Sequence, residues 1–99
     1  MYIVIWKYKV KRDFAQVFEK QYGAKGVWVK FFEKADGYLT TELLKDINEQ
    51  SVYLTIDKWN TKKEYECFRE KKSIEYKIID SLCEKMTDNE SKIGEYHFL

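Results

Sequence analysis

Ser51-Val52-Tyr53-Leu54-Thr55-Ile56-Asp57-Lys58-Trp59 places Val52, Leu54 and Ile56 on one side of an extended chain, with Tyr53, Thr55, Asp57 and Trp59 on the other. The division follows from the two-residue period of a strand. A strand wetted on one face would turn Lys, Glu, Thr and Ser outward, whereas this one carries bulk at both parities. It is expected to be covered on both sides. On its N-terminal side, Tyr38 to Lys45 alternates Leu39, Thr41 and Leu43 with Tyr38, Thr40, Glu42 and Leu44, and the polar stretch Asp46 to Gln50 joins the two runs as a hairpin. On its C-terminal side, Thr61 with Glu64 forms a capping box. The helix it launches carries Tyr65 and Phe68, breaks near Lys71-Lys72-Ser73 and resumes with Ile78, Ile79, Leu82, Cys83 and Met86.

The remaining segments complete the order. Tyr2 to Val10 is β-branched and aromatic, alternating apolar residues with lysine from Trp6 onward, and predicts a strand. Asp13 and Gln16 predict a capping box opening a helix to Tyr22, with Gly23 at a left-handed C′ position. Gly26 opens a short stretch in which Trp28, Phe31, Phe32 and Ala35 share a face, and Asp36-Gly37 turns the chain. Thr87-Asp88-Asn89 reads as a turn before a closing strand from Ile93 to Leu99. The order β, α, β, β, α, β is the split βαβ of ferredoxin-like α+β folds, a four-stranded antiparallel sheet with helices on one face. The second sheet face then needs a cover, and a second copy of the chain related by two-fold symmetry supplies one. A homodimer is expected.

Ninety-nine residues with no proline and four glycines suit a single domain over residues 1–99. Apolar residues at 44% provide a core, and 35% charged residues against a typical ~25% provide a solvated surface, which excludes disorder. The longest uncharged apolar run, Tyr2 to Trp6, falls far short of the ~20 residues of a membrane span, and no secretion signal is evident, so a cytoplasmic protein is expected. A net charge of +1 offers no footprint for nucleic acid or a membrane surface. Lys62-Lys63 and Lys71-Lys72 are interleaved with Glu64, Glu66, Glu70 and Glu75, as on a solvated helix face. The RNA-recognition motif shares this element order, but its third strand needs a basic residue, glycine and aromatics at fixed spacing, and Ser51 to Trp59 has no glycine and a single lysine. Cys67 and Cys83 are the only cysteines and are expected as free thiols; with one histidine they make no metal site, and no nucleophilic triad is evident.

The spacing Phe18-x-x-x-Tyr22-Gly23, Gly26-x-Trp28-x-x-x-Phe32, Gly37-Tyr38, Thr41-x-Leu43-Leu44-x-Asp46, then Tyr53-Leu54-x-Ile56-Asp57-x-Trp59, Phe68, Tyr76, Asp80, Cys83, Thr87, Glu90 and Ile93-Gly94 resembles the antibiotic biosynthesis monooxygenase family of the dimeric α+β barrel superfamily. The resemblance implies two sheets packed into one barrel with helices outside. Superfamily members include cofactor-free oxygenases of polycyclic phenols, haem-degrading enzymes, isomerases and proteins without known activity. Haem degraders of this superfamily use a helical histidine, and Thr61 to Met86 contains none. The resemblance thus implies a cofactor-independent oxygenase acting on a small electron-rich aromatic molecule, with no cofactor. The alternative is a non-catalytic, small-molecule-binding or stress-associated dimer of the same fold.

Candidate site residues follow. Trp59 ends its strand just before the Thr61 cap, where strand-to-helix junctions border clefts; it either stacks on a ligand or plugs the core. Trp28 and Phe32, one helical turn apart, are further candidates for ligand contact. Asp57 and Tyr53 share the face of Trp59 and are candidates to handle a proton, as is His97, the only histidine, unless its place near the end of the sequence leaves it exposed. Glu42 is a possible neighbour of Asp57. Which sheet face meets the helices is left open by the pattern alone.

Overall fold

The computed structural model covers residues 1–99. Strands β1 (Tyr2–Val10), β2 (Tyr38–Lys45), β3 (Val52–Trp59) and β4 (Thr87–His97) form one sheet in the order β2-β3-β1-β4, every neighbouring pair antiparallel. Helices α1 (Ala15–Tyr22) and α2 (Val27–Phe32) connect β1 to β2, while α3 (Lys62–Lys71) and α4 (Ser73–Cys83) connect β3 to β4. This is the expected ferredoxin-like α+β arrangement. No helix is long and apolar enough to cross a membrane.

Burial identifies the face that meets the helices. Tyr53, Thr55, Asp57 and Trp59 are all buried, whereas Leu54, Ile56 and Lys58 are only half-buried. Residues opposite one another in register share a face, so Tyr2, Val4, Trp6 and Tyr8 of β1 lie beside Trp59, Asp57, Thr55 and Tyr53. The helices send Phe18, Tyr22, Trp28, Phe32 and Phe68 into the same core. Phe18 stacks on Tyr22 at 4.1 Å between ring centroids, and Phe32 meets Trp59 edge-on at 5.6 Å. The opposite face carries Ile3, Ile5, Leu54 and Ile56, flanked by Leu44 and Tyr96 at 44% and 46% exposure.

The Thr61 cap forms as expected, its hydroxyl accepting from the Glu64 backbone N–H at 3.1 Å. The break before Ser73 also forms. Four local expectations are corrected. The first helix is entered through a single 3₁₀ turn, Arg12–Phe14, so Asp13 lies inside that turn and no side chain caps either segment. Gly23 is extended (φ −81°, ψ −176°), not left-handed. Glycine is required there by close approach instead, since an added Cβ would stand 2.7 Å from the Glu19 carbonyl oxygen, and the same holds at Gly26, 2.1 Å from the Gln21 carbonyl oxygen. In β2 the alternation slips by one, because Tyr38 pairs with Trp59 and Thr40 with Lys58, leaving Leu39 as a bulge. Tyr38 thereby joins Thr41 and Leu43 on the helix-facing side. β4 begins at Thr87, six residues before the expected Ile93, because an edge strand paired only to β1 leaves most of its side chains exposed and so tolerates the polar run Asp88 to Lys92.

Candidate functional site

A cavity opens between the sheet and the helices. Its floor is Thr55 and Asp57 of β3, Trp6 and Tyr8 of β1 and Thr41 of β2; its roof is Tyr22, Trp28 and Phe32 of α1 and α2, with Tyr65, Tyr76 and Asp80 of α3 and α4. Glu90 of β4 closes one end. The cavity's free space is about 30 Å³, room for about two water molecules.

Asp57 is the most perturbed acid of the floor. It is 8% exposed, and its one hydrogen bond comes from the Thr41 hydroxyl to Oδ1 at 2.7 Å. The Thr41 oxygen lies 2.8 Å from the Tyr38 hydroxyl, so Tyr38, Thr41 and Asp57 form a chain that depends on the bulge at Leu39. Burial raises the Asp57 pKa to about 6, only partly opposed by the Thr41 bond. Burial likewise raises Glu90, with Asp80 and Glu84 adding repulsion. Tyr8, Tyr22 and Tyr76 are all raised, burial being the first cause, which keeps the phenols neutral near physiological pH. The Tyr8 hydroxyl is paired with Thr55 at 3.2 Å. Arg69 lies over the Tyr76 ring at 3.7 Å and donates to the Tyr65 hydroxyl at 2.7 Å.

Three of the residues singled out in the sequence, Trp28, Phe32 and Asp57, meet on the cavity wall. The other three lie elsewhere. Trp59 is fully buried behind the wall, its ring among Phe32, Tyr38, Tyr65 and Phe68 at centroid distances of 5.2 to 5.9 Å. Tyr53 is buried beside Phe18 and donates its hydroxyl to Glu19; burial and that carboxylate push its pKa up to about 12. His97 is exposed on the edge strand opposite Tyr2. Glu42 turns to the other sheet face and pairs with Lys58 at 2.5 Å. Sequence reasoning did not single out Tyr8, Trp6, Tyr22, Thr41, Tyr76, Asp80 or Glu90 as site residues. A signal for most of them existed, since Tyr22, Thr41, Tyr76, Asp80 and Glu90 all belong to the spacing that carries the family resemblance. No three of the His, Cys, Asp and Glu side chains are grouped to hold a metal ion, and both cysteines are free.

Residues 1–74, from β1 into the start of α4, match the model of the antibiotic biosynthesis monooxygenase family. The chain belongs to the antibiotic biosynthesis monooxygenase family. A search of curated protein sequences finds no match. Solved structures similar to this family member include a conserved protein from Methanosarcina mazei (TM-score 0.73, 15% identity, 99% of this chain and 92% of that one). SnoaB, a cofactor-independent oxygenase from Streptomyces nogalater, superposes with a TM-score of 0.72 at 13% identity over 99% of this chain and 92% of its own. A mutant of MhuD with two manganese protoporphyrin IX molecules per active site gives 0.72 at 13% identity, covering 100% of this chain and 95% of that one. At such identities the likeness shows a shared fold.

Proposed function

We propose that this chain is a homodimeric, cofactor-independent monooxygenase acting on a small electron-rich aromatic molecule. The observation that carries this reading is Asp57, a carboxylate set into an aromatic-walled cavity with a single hydrogen bond. Its pKa of about 6 suits a general base, because proton transfer is most efficient when the base titrates near the working pH. Trp28 and Phe32 would hold the substrate ring, and the aromatic walls would keep water from the reacting atoms. Removing a proton from a phenol or an activated carbon leaves an electron-rich anion able to reduce dioxygen. One oxygen atom then enters the product and the other leaves as water. The SnoaB likeness supports this class of chemistry. The MhuD likeness does not extend to its ligand, because the wall lacks histidine and sets three carboxylates against a porphyrin that carries carboxylates itself.

The dimer is part of the proposal. Ile5, Leu54 and Ile56 are half-buried on the face away from the helices, and a second copy placed there would cover them.

The test is tryptophan-fluorescence titration with naphthols, anthrones and quinols, followed by oxygen uptake for each binder. Saturable binding with oxygen consumption is expected, and Asp57→Asn should lower the rate about 10²-fold or more. Binding without oxygen uptake would favour the non-catalytic alternative, and no binding by any of them would reject both.

A further inference from the structure

We propose that Trp28 orients the substrate, its indole N–H donating a hydrogen bond to an oxygen atom carried on the substrate ring. This deepens the oxygenase reading and rests on it.

Trp28 is 7% exposed, and its indole nitrogen is buried without a hydrogen-bond partner. Buried tryptophans ordinarily set that N–H on an acceptor, because a donor stripped of water and left unpaired bears its full desolvation penalty. The chain supplies none. Burial raises the pKa of both the Tyr22 hydroxyl and the Cys83 thiol, and the nearby N–H opposes that rise, yet neither group closes a hydrogen bond with it. The ring has little freedom to search further. Tyr76, Phe32, Tyr22 and Phe31 surround it at centroid distances of 5.0 to 6.4 Å, and a turn of the side chain would have to displace them.

Trp59 is the contrasting case. Its indole nitrogen is likewise buried and unpartnered, but Trp59 lies behind the cavity wall and Trp28 is part of it. Of the two orphaned donors, Trp28 alone borders space that a ligand enters. Asp57 on the same wall plays the opposite part, since it takes a proton where Trp28 gives a hydrogen bond without ionising. A donor and an acceptor on one wall distinguish the two ends of a substrate, which fixes its pose. As the proton leaves for Asp57, negative charge gathers on the ring oxygen. A hydrogen bond to that oxygen then becomes charge-assisted and strengthens, so the contact favours the anion over the bound neutral molecule.

The experiment compares indanone, indane and indole, which share a fused bicyclic skeleton and offer an acceptor oxygen, no polar group and a donor respectively. Calorimetry reads the affinities, and proton NMR reads the indole N–H signals of Trp6, Trp28 and Trp59. Trp6→Phe and Trp59→Phe assign the Trp28 signal by elimination, so spectra of the parent protein decide the matter even if Trp28→Phe does not fold. Indanone should bind about fivefold or more tightly than indane, and indole should gain nothing over indane. Indanone should also move the Trp28 N–H signal downfield, and indane should not. In Trp28→Phe the affinity for indanone should fall to within about twofold of that for indane. Equal binding of indanone and indane overturns the proposal, and so does an advantage for indanone that survives in Trp28→Phe. A Trp28 signal that indanone leaves in place overturns it too, as expected if a bound water already serves the N–H, and so does no saturable indanone binding at about 10 mM. If naphthols and quinols bind and are oxidised while indanone shows no advantage, the oxygenase reading stands and the Trp28 proposal alone falls. A Trp28-dependent advantage without oxidation of any naphthol or quinol keeps the contact and moves it to the non-catalytic alternative.

Discussion

At the scale of single residues, Asp57 makes stability depend on pH in an unusual direction. Its folded pKa of about 6 lies above the ordinary value of 3.8, so the folded state binds the proton more tightly than the unfolded chain does. The cost of burying the charge is therefore absent below about pH 4, grows between about 4 and 6, and stays at about 3 kcal/mol above that. Asp57→Asn keeps an acceptor for Thr41 and removes the charge. Its melting temperature should exceed that of the parent by several degrees near pH 8, with the gap closing by about pH 4; a parent that is the more stable at pH 8 would show the charge to be compensated. Trp59 gives the contrasting case. Fully buried and off the cavity wall, it should cost about 1–3 kcal/mol when changed to Phe, with affinity for any cavity ligand within about twofold of the parent. Calorimetry beside a fluorescence titration checks both, and a stable variant with weakened binding would put Trp59 in the site. The sequence shows that Asp57 and Trp59 share a strand face. It does not show that the cavity ends between them, because that depends on where Phe32 and Tyr65 from two separate helices come to rest.

Among the elements, β1, β3 and the helix pair after β3 were legible because their signals are local: alternation, a capping box and a lysine-serine break. The helix-facing side of β3 was not. Aliphatic and aromatic-polar parities are both plausible core faces, and only packing against Phe18 and Phe68 selects the second. β4 was hidden by its own polarity, since Asp88 to Lys92 has the composition of a turn and becomes strand through its pairing with β1. Five of the cavity residues that residue-by-residue reasoning passed over belong to the family spacing, so the pattern holds more of the site than single positions reveal. The cap at α3 is the cleanest element-scale test. Thr61→Ala removes the acceptor for the Glu64 N–H and should destabilise the protein by about 1 kcal/mol, read as a fall in melting temperature of several degrees; no change would mean the helix start is held by packing alone.

For the whole molecule, the half-covered sheet face is the decisive surface. Light scattering at micromolar concentration should give about 24 kDa, twice the 12.0 kDa of the chain, and Ile56→Lys should shift the mass toward the monomer. A parent protein that stays at about 12 kDa across that range would reject the dimer. The two apolar parities of β1 and β3 carry the expectation that a second copy covers this face. A helix layer and a second sheet place the same demand on the strand beneath them, so the mass in solution decides it.

The bulge in β2 gives that strand one residue more than its partner needs. Elsewhere in a strand, loss of a single codon reverses every following side chain between core and solvent. Loss of Leu39 would instead bring Tyr38 and Thr40 into unbroken pairing with Trp59 and Lys58 and leave Thr41 opposite Asp57. Leu39 is 43% exposed, so little buried surface would go with it. In a scan of one-residue deletions along residues 38–45, position 39 should be the tolerated one, giving soluble protein that melts within a few degrees of the parent, while deletion of Glu42 should yield no folded product. Two equally damaging deletions would mean that the bend itself, and not the register it preserves, is what the fold requires.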